Sequence, residues 1–124
     1  MAKTYQDFIR LAKTRIREID VAAARARFDA DDGCVFLDVR ESDEVAKGTV
    51  PGAVAMPRGR IEGHAGDSIP DFAYELIVVC DKGNRSALAA DTLLEMGFSK
   101  VASLAGGLNA WLEAGHPLGP PRVL

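Results

Sequence analysis

With two cysteines in 124 residues, Cys34 and Cys80, the chain has too few for a disulfide framework, and they lack the paired spacing of a structural zinc site. In a reducing compartment each thiol needs its own explanation. Histidine is equally scarce. His64 and His116 lie in loop-like, glycine-flanked segments and read as exposed and unligated, so no metal site is expected and nothing calls for a cofactor. No run of Lys or Arg is long enough to leave the electrostatic footprint of a nucleic-acid binder, and the formal net charge is −3. Long apolar runs are missing too: residues 1–17 are interrupted by Lys3, Asp7, Arg10, Lys13, Arg15 and Arg17, which excludes a signal-peptide core or membrane span there. The expectation is a cytoplasmic protein with no nucleic-acid or membrane partner. There is no internal repeat or low-complexity tract, which excludes solenoids and arrays.

What is present is the balance of an ordinary globular domain, 48% apolar and 27% charged. The length suits one hydrophobic core. We expect an N-terminal helical arm over 1–18, a domain over 19–118, and a flexible tail over 119–124, where Gly119-Pro120-Pro121 resists regular structure. Residues 3–15 favour a helix with Phe8, Leu11 and Ala12 on one face, and Asp20 can N-cap a second helix running to about 26–28. The runs CVFLDV at 34–39, LIVV at 76–79 and residues 101–104 read as buried strands, with a weaker strand at 53–56. Helical stretches follow at 41–47, at 85–96 before Gly97, and at 107–114 before Gly115. Strands alternate with helices, and the strands are near-continuously apolar. The fold class expected is therefore α/β, a central parallel sheet of about five strands flanked by helices on both faces. Residues 61–71 match no pattern.

In such sheets ligands bind at the carboxyl ends of strands, and one residue there is a nucleophile. The strand LIVV runs into Cys80-Asp81-Lys82-Gly83-Asn84-Arg85-Ser86 and then into the helix ALAADTLLEM. Backbone N–H groups at a helix N-terminus lack intrahelical partners and carry the positive end of the dipole, so both favour an anion in the loop. Gly83 permits backbone angles that let amides curl around one point. Cys80 is expected to alkylate rapidly and Cys34 slowly. Cys34 opens an apolar strand and reads as a small buried hydrophobe.

These residues resemble the active-site loop of the rhodanese (thiosulfate sulfurtransferase) family. Other segments match in order: Leu37-Asp38-Val39-Arg40-Glu41 resembles its first-strand signature, and Glu44 with Gly48 and Val50-Pro51-Gly52-Ala53 resembles its glutamate, glycine and proline-glycine-alanine segment. The run from Leu104 through Gly106-Gly107 to Trp111 resembles its closing Gly-Gly turn and tryptophan helix. The likeness extends over about 20–117. One departure is Thr49, where many members have His; the position carries no assigned chemistry.

The resemblance implies a single rhodanese-like domain in which Cys80 is catalytic. It would take a sulfane sulfur from thiosulfate or a persulfide donor and yield it to a thiol or cyanide, with a protein as possible donor or acceptor. Asp81, Lys82, Gly83, Asn84, Arg85 and Ser86 would bind substrate, their N–H groups stabilising the persulfide. Asp38, Arg40, Glu44, Gly106 and Gly107 would frame the site. Arg85 either faces the donor or turns to pair with Glu44 or Asp38. Lys82 could attract an anionic donor, whereas Arg58 and Arg60 read as ordinary surface arginines and Trp111 as core.

Two other functions compete. Some phosphatases share this fold and use a cysteine within an anion-binding loop, but their Cys and Arg are separated by five residues, whereas four lie between Cys80 and Arg85. One residue is roughly 3.5 Å of chain, the difference between cradling a sulfur atom and a phosphoryl group. Val79 also stands where the phosphatase pattern commonly has His. The second competitor is a non-enzymatic sulfur carrier or regulatory module, against which the presence of Cys80 argues in its regulatory form.

Overall fold

The computed structural model describes residues 2–122. Helix α1, Tyr5–Arg15, starts at a reciprocal cap: Thr4 Oγ1 accepts from the Asp7 N–H, and the Asp7 carboxylate accepts from the Thr4 N–H. It buries Ile9 and Ala12 and lies along α5 (Asn84–Met96), to which Arg15 is tied through Asp91 at 3.1 Å. The expected helical arm over 1–18 is thus shorter than drawn. The chain leaves the helix after Arg15 and enters strand β1, Arg17–Ile19, at the sheet edge. Only Ile19 of this strand is buried, so it has no apolar run and becomes visible only when β5 (Lys100–Leu104) pairs with it.

Helix α2, Val21–Ala30, begins as expected at Asp20, whose Oδ1 accepts from the Ala23 N–H at 2.8 Å. Then come β2 (Val35–Asp38), the short α3 (Ser42–Val45), the two-residue β3 (Val54–Ala55) and α4 (Ile61–Ser68). α4 occupies the segment that matched no pattern. Gly63 and Gly66 lower its helix propensity, and it forms because Ile61 and Ala65 reach the core beside α5. The chain closes with β4 (Glu75–Val79), α5, β5 and α6 (Gly107–Glu113).

All five strands are parallel, in the order β1-β5-β4-β2-β3. Helices cover both faces, as the apolar strands required. On β4, Leu76 and Val78 join Leu37, Ile61, Leu93 and Phe98 on one face, while Ile77 and Val79 join Phe36, Leu104, Leu108 and Trp111 on the other. Each such fully buried side chain contributes about 1.5–3 kcal/mol. Trp111 is buried core, set edge-on to Phe28 and Phe36, and its Nε1–H donates to the Pro117 carbonyl at 2.9 Å.

The tail differs from expectation up to Arg122. Gly119 and Thr49 exchange backbone hydrogen bonds, Gly52 donates to the Pro120 carbonyl at 2.9 Å, and Arg122 donates to Ala53 at 2.8 Å. Proline lacks an N–H but keeps its carbonyl, and that acceptor fastens the segment here. Val123 and Leu124, the remainder of the expected flexible tail, lie outside the described residues. Among the described residues no helix is long and apolar enough to cross a membrane.

Candidate active site

Cys80 directly follows the central strand β4, and the chain reverses over Asp81-Lys82-Gly83 before α5 begins. Its Sγ accepts from the Gly83 N–H at 3.0 Å and from the Ser86 N–H at 3.4 Å. The Ser86 hydroxyl oxygen lies 3.4 Å away and accepts from the thiol. Gly83 adopts φ +102°, and a Cβ there would sit 3.3 Å from the Gly106 nitrogen, so the turn that aims its N–H at the sulfur needs glycine. The convergence is narrower than the sequence suggested. The Lys82 N–H goes to Asp81 Oδ1 at 2.8 Å, and Asn84 and Arg85 make no bond to the sulfur.

Cys80 has no exposed surface. Its apolar side joins the core cluster of Leu37, Val39 and Val78, and its polar side meets the loop amides. From beneath, the buried Ser86 Oγ lies 2.8 Å from the buried Ser103 Oγ of β5. Ser103 escaped sequence reading because it sits inside an apolar run; the available signal was a lone hydroxyl on a strand buried on both faces, which must find a partner.

Gly106 and Gly107 lie against the loop. The Leu108 N–H donates to the Cys80 carbonyl at 2.8 Å and the Asn109 N–H to the Asp81 carbonyl at 3.0 Å, so the start of α6 clamps the backbone on which the thiol stands. A Cβ on Gly107, at φ +58°, would fall 2.5 Å from both carbonyl oxygens.

Arg85 braces the loop. Its Nη1 and Nη2 grip Glu44 at 2.6 and 2.9 Å, and Nη2 also reaches Asp81 Oδ1 at 3.2 Å. These bonds, with lesser help from the Glu41 N–H, hold the Glu44 carboxyl down at about 2 against an ordinary 4.5 and raise Arg85 further. A carboxyl depressed by folding stabilises the native state above its unfolded value, and that stability is lost as pH falls through the folded value. We therefore expect the wild type to lose stability relative to Glu44→Gln between pH about 4.5 and about 2, measured as the difference between their denaturation midpoints. Parallel pH curves for the two proteins would show that the brace contributes nothing. The side chains are about one-third exposed, so the effect is modest.

Asp38 and Arg40 frame a different turn. The buried Asp38 carboxylate accepts from the Arg40 backbone N–H, from its Nε and Nη2, and from Thr49 Oγ1 at 2.7 Å, while Arg40 Nη2 also donates to the Gly48 carbonyl at 2.7 Å. Thr49, which the sequence left without a task, therefore completes this buried frame. Lys82 is exposed at the loop. Arg58 turns to Glu62 and Thr92. His116 is half-buried, with its ring 4.9 Å from that of Trp111, and His64 is exposed.

Cys34 is half-buried at the amino end of the sheet, beside β4's first residues. Burial, with Glu75 nearby, pushes its thiol up to about 11. The parallel register places it roughly 16 Å from Cys80 along the strands, too far for a disulfide. A cleft of about 720 Å³ lined by Arg17, Arg27, Glu75 and Lys100 lies at that same end, and neither cysteine lines it.

Comparisons with known proteins give the chain's family and fold. The family model described as Rhodanese-like domain matches residues 20–114. The chain is 36% identical over 96 residues to the putative sulfurtransferase YtwF of Bacillus subtilis, covering 77% of this chain and 90% of that one. It is 35% identical over 96 residues to the putative sulfur carrier protein YrkF of the same organism, of which it spans only 51%, again with 77% of this chain covered. A solved Rhodopseudomonas palustris structure, described as a protein of unknown function and possible tyrosine phosphatase, superposes with a TM-score of 0.85 at 29% identity over 96% of both chains. Loop, frame and sequence likeness agree, and the chain belongs to the rhodanese-like domain family, whose matched relatives include named sulfurtransferases.

Proposed function

We propose that this chain is a sulfurtransferase that carries a sulfane sulfur on Cys80 as a persulfide. The observation that supports this best is the pair of N–H groups, from Gly83 and Ser86, aimed at Cys80 Sγ where β4 turns into α5. In the first step the Cys80 thiolate attacks the donor's outer sulfur. A new S–S bond forms, the donor's own bond to that sulfur breaks, and the electron pair leaves with sulfite from thiosulfate, or with a thiolate from a persulfide. In the second step cyanide or an acceptor thiolate attacks the terminal sulfur and Cys80 recovers its thiolate. The charge stays on sulfur throughout, which is what fixed amide donors stabilise.

Two features shape the substrate. Cys80 is covered in the resting structure, so the donor reaches it only when Asp81-Lys82-Gly83 moves aside or the cysteine side chain turns. The guanidinium of Arg85 is already engaged by Glu44 and Asp81, which leaves Lys82 as the loop cation free to draw in an anionic donor. Arg85, Glu44, Gly106 and Gly107 thus support the loop, Gly83 and Ser86 bind the sulfur, and Asp38 and Arg40 brace the neighbouring turn.

The test is to incubate the protein with thiosulfate, look by mass spectrometry for one added sulfur atom on Cys80, and then add cyanide and measure thiocyanate. We expect both signals and no turnover of p-nitrophenyl phosphate. A sulfur adduct that cyanide does not remove but a protein thiol does would identify a carrier. Phosphoester turnover with no adduct from either thiosulfate or a low-molecular-weight persulfide would overturn the reading.

A further inference from the structure

Beneath the nucleophile lies a pair of hydroxyls that the loop motif does not include. Ser103, on β5, is fully buried, and among the described residues its Oγ has one hydrogen-bond partner, Ser86 Oγ at 2.8 Å. Ser86 Oγ in turn lies 3.4 Å from Cys80 Sγ. We propose that Ser103 is a positioning residue for the reacting sulfur, acting through Ser86. The proposal rests on Cys80 being the nucleophile.

The argument is one of counting protons. Either serine could be the donor in the 2.8 Å contact. If Ser103 accepted, its own proton would be buried without an acceptor, which costs more than an ordinary buried hydrogen bond returns. Ser103 therefore donates, and one lone pair of Ser86 Oγ is filled. Among the described residues the acceptor left for the Ser86 proton is Cys80 Sγ, 3.4 Å away. While Cys80 is a thiol, its own S–H, a weak donor, competes for that contact. Once the sulfur is ionised its charge draws the Ser86 proton, and the bond accepted from Ser103 polarises that hydroxyl into a stronger donor. No heavy atom needs to move, and each serine keeps its own proton. The sulfur anion then has three donors, the N–H groups of Gly83 and Ser86 and the Ser86 hydroxyl, of which the last is oriented from the sheet by a residue of β5, the strand beside β4.

The test reads ionisation directly, without a sulfur donor. In a Cys34→Ala background, where Cys80 is the sole thiol, the rate of iodoacetamide labelling is followed against pH. Opening of the loop scales the rate, while the midpoint of the profile reports the thiolate. Ser103→Ala should slow labelling near neutral pH about fivefold, the factor that one net hydrogen bond supplies, with the midpoint moved upward and the alkaline plateau unchanged. Ser103→Thr and Ser103→Val have the same shape, and only the first keeps the hydroxyl, so the threonine variant should retain the wild-type midpoint and the valine variant should lose it. Ser86→Ala should slow labelling by about tenfold, as expected for a bond to a charged group, and adding Ser103→Ala to it should change nothing further. A purely packing role for Ser103 would shift the melting temperature and leave the midpoint alone. A wild-type midpoint in the valine variant, or additive effects in the double variant, would overturn the proposal. Failure of every sulfane donor to load Cys80 would remove the proposed function and leave this comparison intact.

Discussion

Replacing Cys80 with serine is expected to abolish sulfur loading and lower thiocyanate formation by on the order of a thousandfold or more, the scale on which nucleophile deletions act. The hydroxyl ionises far less readily than a thiol and is a poorer nucleophile towards sulfur, while its size lets the cradle close around it. The Gly83 and Ser86 N–H groups can still donate to the serine oxygen, so the melting temperature should change little. Loss of activity with a retained fold is the signature sought, by mass spectrometry and thermal unfolding on the same sample. Residual transfer within tenfold of wild type would mean that another sulfur carries the chemistry. Cys34 is poorly suited to that: burial pushes its thiol up to about 11, and it stands at the opposite end of the strands.

The second large effect comes from a residue with no side chain. Gly107→Ala places a Cβ 2.5 Å from the carbonyl oxygens of Cys80 and Asp81 on a backbone at φ +58°. The left-handed conformation alone costs about 1–2 kcal/mol for alanine. Both obstructing atoms belong to backbone, so a rotamer change cannot relieve the contact, and the two bonds from the Leu108 and Asn109 N–H groups must stretch or break. We expect a destabilisation of about 3 kcal/mol or more, with a melting temperature lower by on the order of 10 °C. Sulfur transfer should fall at least tenfold in the folded fraction, because the same carbonyls anchor the backbone on which Cys80 stands. Gly59→Ala is the control: its Cβ would meet nothing within 4 Å and its φ is unremarkable, so both properties should stay near wild type. A Gly107→Ala protein indistinguishable from that control would show that α6 does not hold the loop.

Much of the architecture could be read directly because it is written in local patterns. The apolar runs at 34–39, 76–79 and 101–104 could be satisfied only by a sheet covered on both faces, and Asp20 announced α2 with its own side chain. What stayed hidden depended on distant partners. β1 is Arg-Glu-Ile, a strand only because β5 offers an edge, and α4 holds two glycines and forms only because α5 receives Ile61 and Ala65. The tail past Leu118 reads as loose, yet as far as Arg122 it is fastened through carbonyl and N–H groups that every sequence has.

The site divides the same way. Its cysteine, glycine turn and helix start are contiguous, so Cys80 through Ser86 stands out from order alone. Arg85 could not be placed, since its possible partners are Glu44 and Asp38, both far away in the chain, or a substrate, and only the folded chain brings Glu44 within 2.6 Å. Thr49 reads only as a departure from the usual His, and Ser103 is hidden inside an apolar run, because the partner of each hydroxyl lies far away in sequence.

The order of residues by itself determined that a cysteine would stand at the carboxyl end of a buried strand, before a glycine-turned helix N-terminus, in a parallel α/β sheet. Periodicity and turn chemistry act over a few residues and leave their record in the chain. The tertiary structure alone decided which groups face the sulfur, which cation is engaged, and what lies beneath. Those outcomes depend on contacts between segments far apart in sequence, whose hydrogen bonds are completed only when the sheet and its helices close together.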